Sequence, residues 1–568
     1  MKLYKSKSDY LASKNSIVDT LDLDSLLVEL NLEKKLKLKD AWISLGGWQS
    51  WNPSFEIEPG KAQPSLHCHL IKQWNRYLEF PCSKYKPTKN TVLAQFVSYL
   101  RWDDFYICFV STGNINSVLP PVQFVYNRKN NNIKIELCDT GKQWKKDDVQ
   151  CQLEILCASS FFELKDKLQK IFGSSDKSNA LYNNRFDQIQ FLGEPSSGWE
   201  SWYNHYANIN EDLILEDLKS LQETKNLITL GSFKKSVFQI DDGWEKALGT
   251  WELNTERFPS GFESTTAKIA ADGYIPGLWI APFIVDLRSK IATEHPEWVL
   301  KNKAGKPIAA GFNPLWGAAF GKMQPSLPNS FFCLDLSIPE CVEYLDGIIE
   351  TAINQWGFRY LKLDFLYAGM IYGNYKNGGA GYEWYSKAIK KLTSRKSNKK
   401  GEEVTYLGCG LPLELSFNDF PLSRIGCDTY EHWENNMMVK LNWNGRASAY
   451  LNLKDTIGHA MTNKIIYSND PDVVFIRNEN CSLTRNQKLT IATVAALFGN
   501  QVMYSDDPAK STSEEEVKLT EEIIAIFNKF KNEEFSVKTI RKDYYEVSSR
   551  SGTYKGYIDM EEGYADIR

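Results

Sequence analysis

The sequence predicts a central (β/α)8 TIM barrel, flanked by an N-terminal β-sandwich and a small C-terminal antiparallel β-domain, in a chain of 568 residues. Three observations predict it. Up to about residue 175, β-branched and aromatic runs alternate with Asn, Gly, Asp and Lys clusters, the texture of an antiparallel sandwich. From about residue 190, strand and helix signals alternate for about 300 residues, which favours a parallel sheet closed as a barrel. After Asp506-Asp507-Pro508 a helix gives way to short aromatic β runs. The expected domains are 1–180, 181–510 and 511–568. An open doubly wound sheet fits the same linear pattern.

In the N-terminal third, residues 91–100, 105–110 and 133–137 read as strands. The run Asn127-Arg128-Lys129-Asn130-Asn131-Asn132 is a turn, because Asn tolerates left-handed angles and bonds its own main chain. Further on, Asn210 before Glu211 and Asp212 is an N-cap, and Leu213, Leu218 and Leu221 continue a helical stripe. Strands follow at 236–240 and in the apolar run 273–282. Ser337-Ile338-Pro339-Glu340 matches a capping box, and Val342, Leu345, Ile349, Ala352, Ile353 and Trp356 recur at helical spacing. Gly357 ends that helix and 360–365 returns as strand. Residues 284–335 read as a long, loop-rich insertion, suited to walling a site. Beyond 510, a helix over 514–531 precedes strands near 535–537, 544–547 and 552–557.

A hydrophobic content of 42% and a charged content of 24% are those of an ordinary soluble globular protein. With 67 basic against 71 acidic residues the net charge is −4, so no one-signed field draws nucleic acid, and a neutral or weakly polar ligand fits better. The N-terminus has positive charge without an apolar run behind it, and no apolar stretch approaches the ~18 residues of a membrane span. The 11 cysteines lack paired spacing, which argues against a disulfide framework. The cytoplasm is the expected compartment, with neither membrane nor nucleic acid as partner; the oligomeric state stays open, a homo-oligomer included. His67-Cys68-His69, with Cys82, has metal-ligand character but no common zinc spacing and reads as a structural strand. No G-x-G-x-x-G or phosphate loop appears, and neither metal nor cofactor is expected.

The chemistry concentrates in Lys362-Leu363-Asp364-Phe365 and Arg424-Ile425-Gly426-Cys427-Asp428. In each, a carboxylate follows an apolar run, at the strand end where barrel enzymes keep their chemistry. Two such carboxylates can cut a glycosidic bond, one attacking the sugar and the other protonating the departing oxygen. Asp364, in apolar company, needs a partner, and Lys362 is near enough in sequence to supply one. Arg424 would hold Asp428 ionised while burial would keep it protonated; a plain surface pair is the bland alternative. Asp241 and Asp242, directly after an apolar run, suit sugar hydroxyls, although Asp-Gly is also ordinary turn chemistry. Trp199, Trp202, Tyr203, Trp244 and Trp279 are the aromatic candidates for stacking on a pyranose face.

As a set, Gly198-Trp199-Glu200-Ser201-Trp202-Tyr203, Asp241-Asp242-Gly243-Trp244, Gly277-Leu278-Trp279, Lys362-Leu363-Asp364-Phe365, Cys409-Gly410-Leu411-Pro412 and Arg424-Ile425-Gly426-Cys427-Asp428 resemble glycoside hydrolase family 36, α-galactosidases of the clan that also holds family 27. The resemblance covers roughly residues 190–510, in the family's order; the early Gly47-Trp48-Gln49-Ser50-Trp51 also looks like its compact members. It implies a retaining α-galactosidase acting on small oligosaccharides of the melibiose or raffinose type. Asp364 would be the nucleophile and Asp428 the acid/base. Asp241 and Asp242 would hold galactose hydroxyls, with Trp202, Tyr203, Trp279, Lys362, Cys409 and Arg424 lining the site. It leaves open which of Trp48 and Trp51 reaches a site, this chain's or a neighbour's. An α-N-acetylgalactosaminidase and a galactosyl-transferring transglycosylase share the pattern. A Schiff-base lyase using Lys362 and a non-catalytic sugar-binding protein are the readings from other classes.

Overall fold

The computed structural model describes residues 2–6, 17–64, 85–113, 120–137, 150–172, 196–223, 236–312, 330–440, 447–510 and 513–568. The His67-Cys68-His69 and Cys82 cluster lies outside them, as does part of the 284–335 insertion.

The N-terminal region forms two antiparallel sheets. One runs in the order Lys2–Ser6, Gln150–Ala158, Phe105–Gly113, Val97–Trp102, Trp42–Ser44, Glu56–Ile57; the other runs Ile17–Asp22, Asn132–Leu137, Val122–Asn127, Thr91–Gln95. Ile43, Leu100, Ile107 and Phe109 of the first share one core with Val92, Phe124, Tyr126 and Ile135 of the second. The strand expected over 91–100 is in fact two. Phe96 takes a left-handed φ of 54°, which breaks the ladder and passes the chain from one sheet to the other. The asparagine turn forms as expected, with Asn131 at φ 52° and Asn127 Oδ1 accepting from the Asn130 amide at 3.0 Å.

A nine-stranded, all-parallel sheet follows, with strands β1 (Ser196–Glu200), β2 (Ser236–Ile240), β3 (Ile275–Ile280), β4 (Tyr360–Leu363), β5 (Thr405–Gly408), β6 (Leu422–Arg424), β7 (Ser468–Asp470), β8 (Val473–Val474) and β9 (Gln501–Tyr504). Their spatial order is β7-β6-β5-β4-β3-β2-β1-β9-β8. The strands at the two ends of that order are consecutive in the chain, parted only by Pro471 and Asp472. Pro471 offers no N–H to a ladder and Asp472 is left-handed at φ 75°, so the run cannot continue as one strand. Helices alternate with the strands, among them Glu211–Glu223, Phe262–Ala271, Pro339–Asn354, Gly381–Leu392, Ala449–Gly458 and Arg485–Phe498.

Asn210 caps its helix by accepting from the Leu213 amide at 2.9 Å. The capping box at Ser337 does not form: the cap is Ile338 with Pro339 in the first turn, and the Ser337 hydroxyl turns away to Asp335 at 2.6 Å. A helix beginning with Pro lacks one N–H to cap, so the side-chain cap is dispensable there. The 284–335 insertion is less loop-like than its sequence suggests, since Ile284–Val285, Ser330–Cys333 and Ala309–Phe312 form a small antiparallel sheet. At the C-terminus, helix Glu514–Phe530 carries a capping box of Ser513 and Glu516, and Phe535–Arg541, Tyr544–Ser549, Lys555–Asp559 and Tyr564–Ile567 form a four-stranded meander.

The N-terminal sheets and the parallel sheet are locked together through the loops after β5 and β6. Gly47–Trp51 lies along the loop after β5: the Ser50 amide donates to Leu411 O and the Leu411 amide to Ser50 Oγ, each at 3.0 Å, and Gly426 N donates to Ser50 O at 2.7 Å. Glu414, just beyond, accepts from the Ser111 hydroxyl and from the Val122 amide at 2.9 Å; burial pushes its carboxyl up to about 7. Among the described residues no helix is long and apolar enough to cross a membrane.

Candidate active site

The site grows from the carboxyl ends of the parallel strands, where side chains of alternating residues share one side. At the end of β4, Lys362 and Asp364 are two residues apart and project together, but they do not pair. Lys362 Nζ reaches across to Asp241 Oδ2 at 2.9 Å, beyond β2, and to Glu200 Oε2 at 3.7 Å, on β1. Asp364 accepts instead from the indole of Trp279 at 2.9 Å and from its own neighbour's amide, Phe365 N, at 2.6 Å. Phe365 itself is left-handed at φ 51°, a bend that turns the chain away directly after the carboxylate. The expected Lys362–Asp364 contact is therefore replaced by two neutral donors, one on β3 and one on the backbone.

Burial alone would lower the Lys362 pKa, yet Asp241 and Glu200 outweigh it and hold the ammonium well above its usual range. A Schiff-base lysine must shed its proton, so this environment opposes that role. Gln239, on β2, completes the group by donating to Asp241 Oδ2 at 2.7 Å and to Glu200 Oε2 at 3.1 Å. Asp242 shares a hydrogen bond with the buried carboxyl of Glu245, whose pKa is raised by burial. Gly243 permits the tight bend there: its φ is 115°, and a Cβ would meet Ala207 O at 2.5 Å.

Opposite lies Arg424, at the end of β6 and 1% exposed. Its Nε donates to Asp470 Oδ2 at 3.1 Å, Nη2 lies 2.8 Å from Asp472 Oδ1, and Nη1 lies 3.4 Å from Asp428 Oδ1. Glu200 Oε2 is 4.0 Å from Nη2 and so stands between the two cations. Asp472 Oδ2 also accepts from the Tyr203 hydroxyl and the Thr429 amide, each at 2.7 Å. Arg424 is thus an interior hub, and the surface-pair reading is excluded. Asp428 is pushed up to about 7, first by burial and then by Asp472, with Arg424 and Lys362 pulling back. Water reaches it through an opening, its side chain being 43% exposed. That access moderates the effect of burial without reversing it. Burial also raises Glu200, to about 8. Two cations thus face six carboxyls, Glu200, Asp241, Asp364, Asp428, Asp470 and Asp472, and burial, helped by neighbouring carboxylates, raises the pKa of Glu200, Asp428 and Asp470.

Trp51 closes the site from the N-terminal region. Its indole N–H points at Cys409 Sγ (3.3 Å), and its ring packs edge-on against Phe365 at 5.3 Å and Tyr367 at 5.5 Å. Of the two early tryptophans, Trp51 contacts residues beside this chain's own cluster, and Trp48 is buried in the core. Phe331 of the insertion meets Phe365 at 5.0 Å, so the insertion does form part of the wall. Trp202 is half-buried and packs on Tyr206 at 5.3 Å.

Two of the stacking candidates are not available to a ligand. Trp199 stacks on Phe238 at 4.7 Å and donates to Asp506 O; Trp244 is enclosed by Trp251, Phe262 and Trp356 and donates to Trp279 O. Both fill the core, because a large ring beside a strand end packs as readily inward as outward. Sequence reasoning also missed Gln239, Asp470 and Asp472, and gave Glu200 no role. Asp470-Pro471-Asp472 comes two polar residues, Ser468 and Asn469, after the apolar run Ile465-Ile466-Tyr467, a weaker signal than the strand end that marked Asp364. Among the described residues no group of three or more His, Cys, Asp or Glu side chains is arranged to hold a metal ion.

Residues 198–370 match the Melibiase family model. The A type blood α-D-galactosamine galactosaminidase of Flavonifractor plautii is 28% identical over 237 residues, 38% of this chain and 19% of that protein. Probable α-galactosidase C of Aspergillus flavus is 26% identical over 213 residues, 34% of this chain and 25% of that protein. The matched stretch therefore spans a quarter or less of these relatives' own length. The fold extends further: α-galactosidase of Thermus thermophilus, solved in complex with p-nitrophenyl α-D-galactopyranoside, superposes with a TM-score of 0.68 at 24% identity, covering 92% of this chain and 91% of that one. Residues 198–370 thus resemble the Melibiase family in sequence, and the chain as a whole shares the fold of the Thermus thermophilus α-galactosidase.

Proposed function

We propose that this protein is a retaining α-galactosidase that removes terminal α-galactosyl residues from small oligosaccharides. The observation that carries the reading is the contrast between two carboxyls of one cluster. Asp364 is fixed by two donors and aimed from the end of β4, whereas Asp428 faces an opening and is pushed up to about 7. An oriented carboxylate beside a carboxyl that keeps its proton near neutrality is the division of labour that double displacement needs. Asp364 attacks the anomeric carbon while Asp428 protonates the leaving oxygen. Asp428 then takes a proton from water as the glycosyl ester is hydrolysed. The negative surplus of the cluster stabilises the oxocarbenium-like transition state between these steps.

On this reading Asp241, Asp242 and Lys362 hold the galactose hydroxyls, and Trp279 and Cys409 shape the pocket around it. The sheet is a closed (β/α)8 barrel in which β7 and β8 are the two halves of one strand; 1–180 and 511–568 are the flanking β-domains. The test is hydrolysis of the nitrophenyl α-galactoside, α-N-acetylgalactosaminide and α-glucoside. Turnover of the first and neglect of the others supports the reading; preference for either of the others overturns it.

A further inference from the structure

Glu200 is the last residue of β1 and stands in register with Gln239 on β2. In the sheet order, β4 and β6 lie three and five strands away from β1. In a flat sheet those intervals would be about 14 and 24 Å, at roughly 4.8 Å per strand. The curl of the sheet instead brings Glu200 Oε2 to 3.7 Å from Lys362 Nζ and 4.0 Å from Arg424 Nη2. One carboxyl on β1 thus lies against both cations of the cluster.

Gln239 Nε2 donates to Asp241 Oδ2 at 2.7 Å and to Glu200 Oε2 at 3.1 Å. Lys362 Nζ reaches the same two oxygens, at 2.9 and 3.7 Å. Two donors and two acceptor oxygens therefore alternate around a square, and each holds the next in place. Glu200 is not needed there as a counter-ion. Lys362 has Asp241 nearer, and Arg424 has Asp472 at 2.8 Å, Asp470 at 3.1 Å and Asp428 at 3.4 Å, all closer than Glu200. The other oxygen, Glu200 Oε1, is enclosed without a hydrogen-bond partner among the described residues. An ionised carboxylate so placed is costly, and a carboxyl carrying its proton much less so. Burial accordingly raises Glu200 to about 8 against the pull of Lys362 and Arg424, with Asp241 and Asp472 adding to the rise.

We propose that Glu200 is a positioning residue for the reaction, a proton-bearing spacer that seats Lys362 and Asp241 for the sugar's hydroxyls. The proposal rests on the galactosidase reading and on those two residues as sugar contacts. Ionisation of Glu200 sets a second carboxylate beside Lys362 and draws the ammonium off Asp241. It is tested with Glu200→Gln, which keeps the shape and the acceptor but cannot ionise, and with Glu200→Leu, which loses the acceptor. The substrate is α-galactosyl fluoride, whose leaving group needs no proton, so that acid catalysis by Asp428 drops out of kcat/KM. At about pH 6, Glu200→Gln is expected within about threefold of wild type and Glu200→Leu at least about tenfold below it. As the wild-type carboxyl ionises through about 8, the ratio of Glu200→Gln to wild type should rise at least about threefold by about pH 9. A ratio that stays flat or falls overturns the spacer, as does a Glu200→Gln variant as impaired as Glu200→Leu or a Glu200→Leu variant with wild-type kinetics. If Glu200→Leu does not fold, the pH profile of Glu200→Gln decides alone. A wild-type protein that leaves the fluoride intact overturns the galactosidase reading instead, and the spacer with it.

Discussion

Lys362 Nζ and Asp241 Oδ2 stand 2.9 Å apart with both side chains almost fully buried, an ion pair joining β4 to the loop after β2. Removing one partner strands the other in a medium that cannot solvate it. Lys362→Met should therefore cost about 3–5 kcal/mol of stability, read by denaturant unfolding. Asp241→Asn should likewise weaken the fold as well as catalysis, because it removes the nearer of the two carboxylates holding the lysine. Variants that unfold at the wild-type midpoint would mean the pair contributes nothing net.

The indole of Trp279 is one of two donors that orient Asp364. Trp279→Phe keeps most of the ring and deletes the N–H. A hydrogen bond to a charged group contributes roughly 1.5–3 kcal/mol, so kcat/KM should fall about 10- to 100-fold. The thermal midpoint should move little. An unchanged kcat/KM would show that the Phe365 amide suffices to position the carboxylate.

Asp428 is pushed up to about 7 and must carry a proton to act as an acid. Its contribution to kcat/KM is present below that value and declines as pH rises through it, so raffinose hydrolysis should fall on the alkaline side near pH 7. Asp428→Ala should lose about 10²–10⁴-fold on raffinose and much less on α-galactosyl fluoride, whose leaving group needs no proton. Stability should follow the same sign. A carboxyl with a raised folded-state pKa favours folding below its unfolded pKa, and that advantage is lost as pH rises through about 7. Asp428→Asn should accordingly raise the melting temperature at pH 8 relative to wild type, with no comparable gain at pH 4. An equal gain at both values would contradict the assignment.

Trp244 and Trp202 separate packing from recognition. Trp244→Ala empties a fully enclosed site and should cost about 3–5 kcal/mol. Trp202 is half-buried and packs on Tyr206, and Trp202→Ala should raise KM with little change in melting temperature. A stable Trp244→Ala with raised KM would restore that ring as a sugar platform.

How far the sequence carried depends on the residue. Asp364, Asp428, Lys362 and Arg424 were legible because each sits at the end of an apolar run, and a strand end is a local signal. Their partners were not. That Lys362 would choose Asp241 over Asp364 depends on strands placed side by side by the sheet, 121 residues apart in sequence. Trp51 meeting Cys409 across 358 residues depends on how the N-terminal sheets dock. The break at Phe96 was invisible, because its left-handed turn is imposed by two sheets competing for one apolar run. Trp199 and Trp244 were misread because composition records a ring but not the side to which it turns.

The central claim is that Asp364 attacks the sugar and is later displaced by water on the same face. Proton NMR of the first sugar released from nitrophenyl α-galactoside, recorded before mutarotation, tests it most directly. The account predicts α-galactose as the first-formed anomer; β-galactose would contradict it.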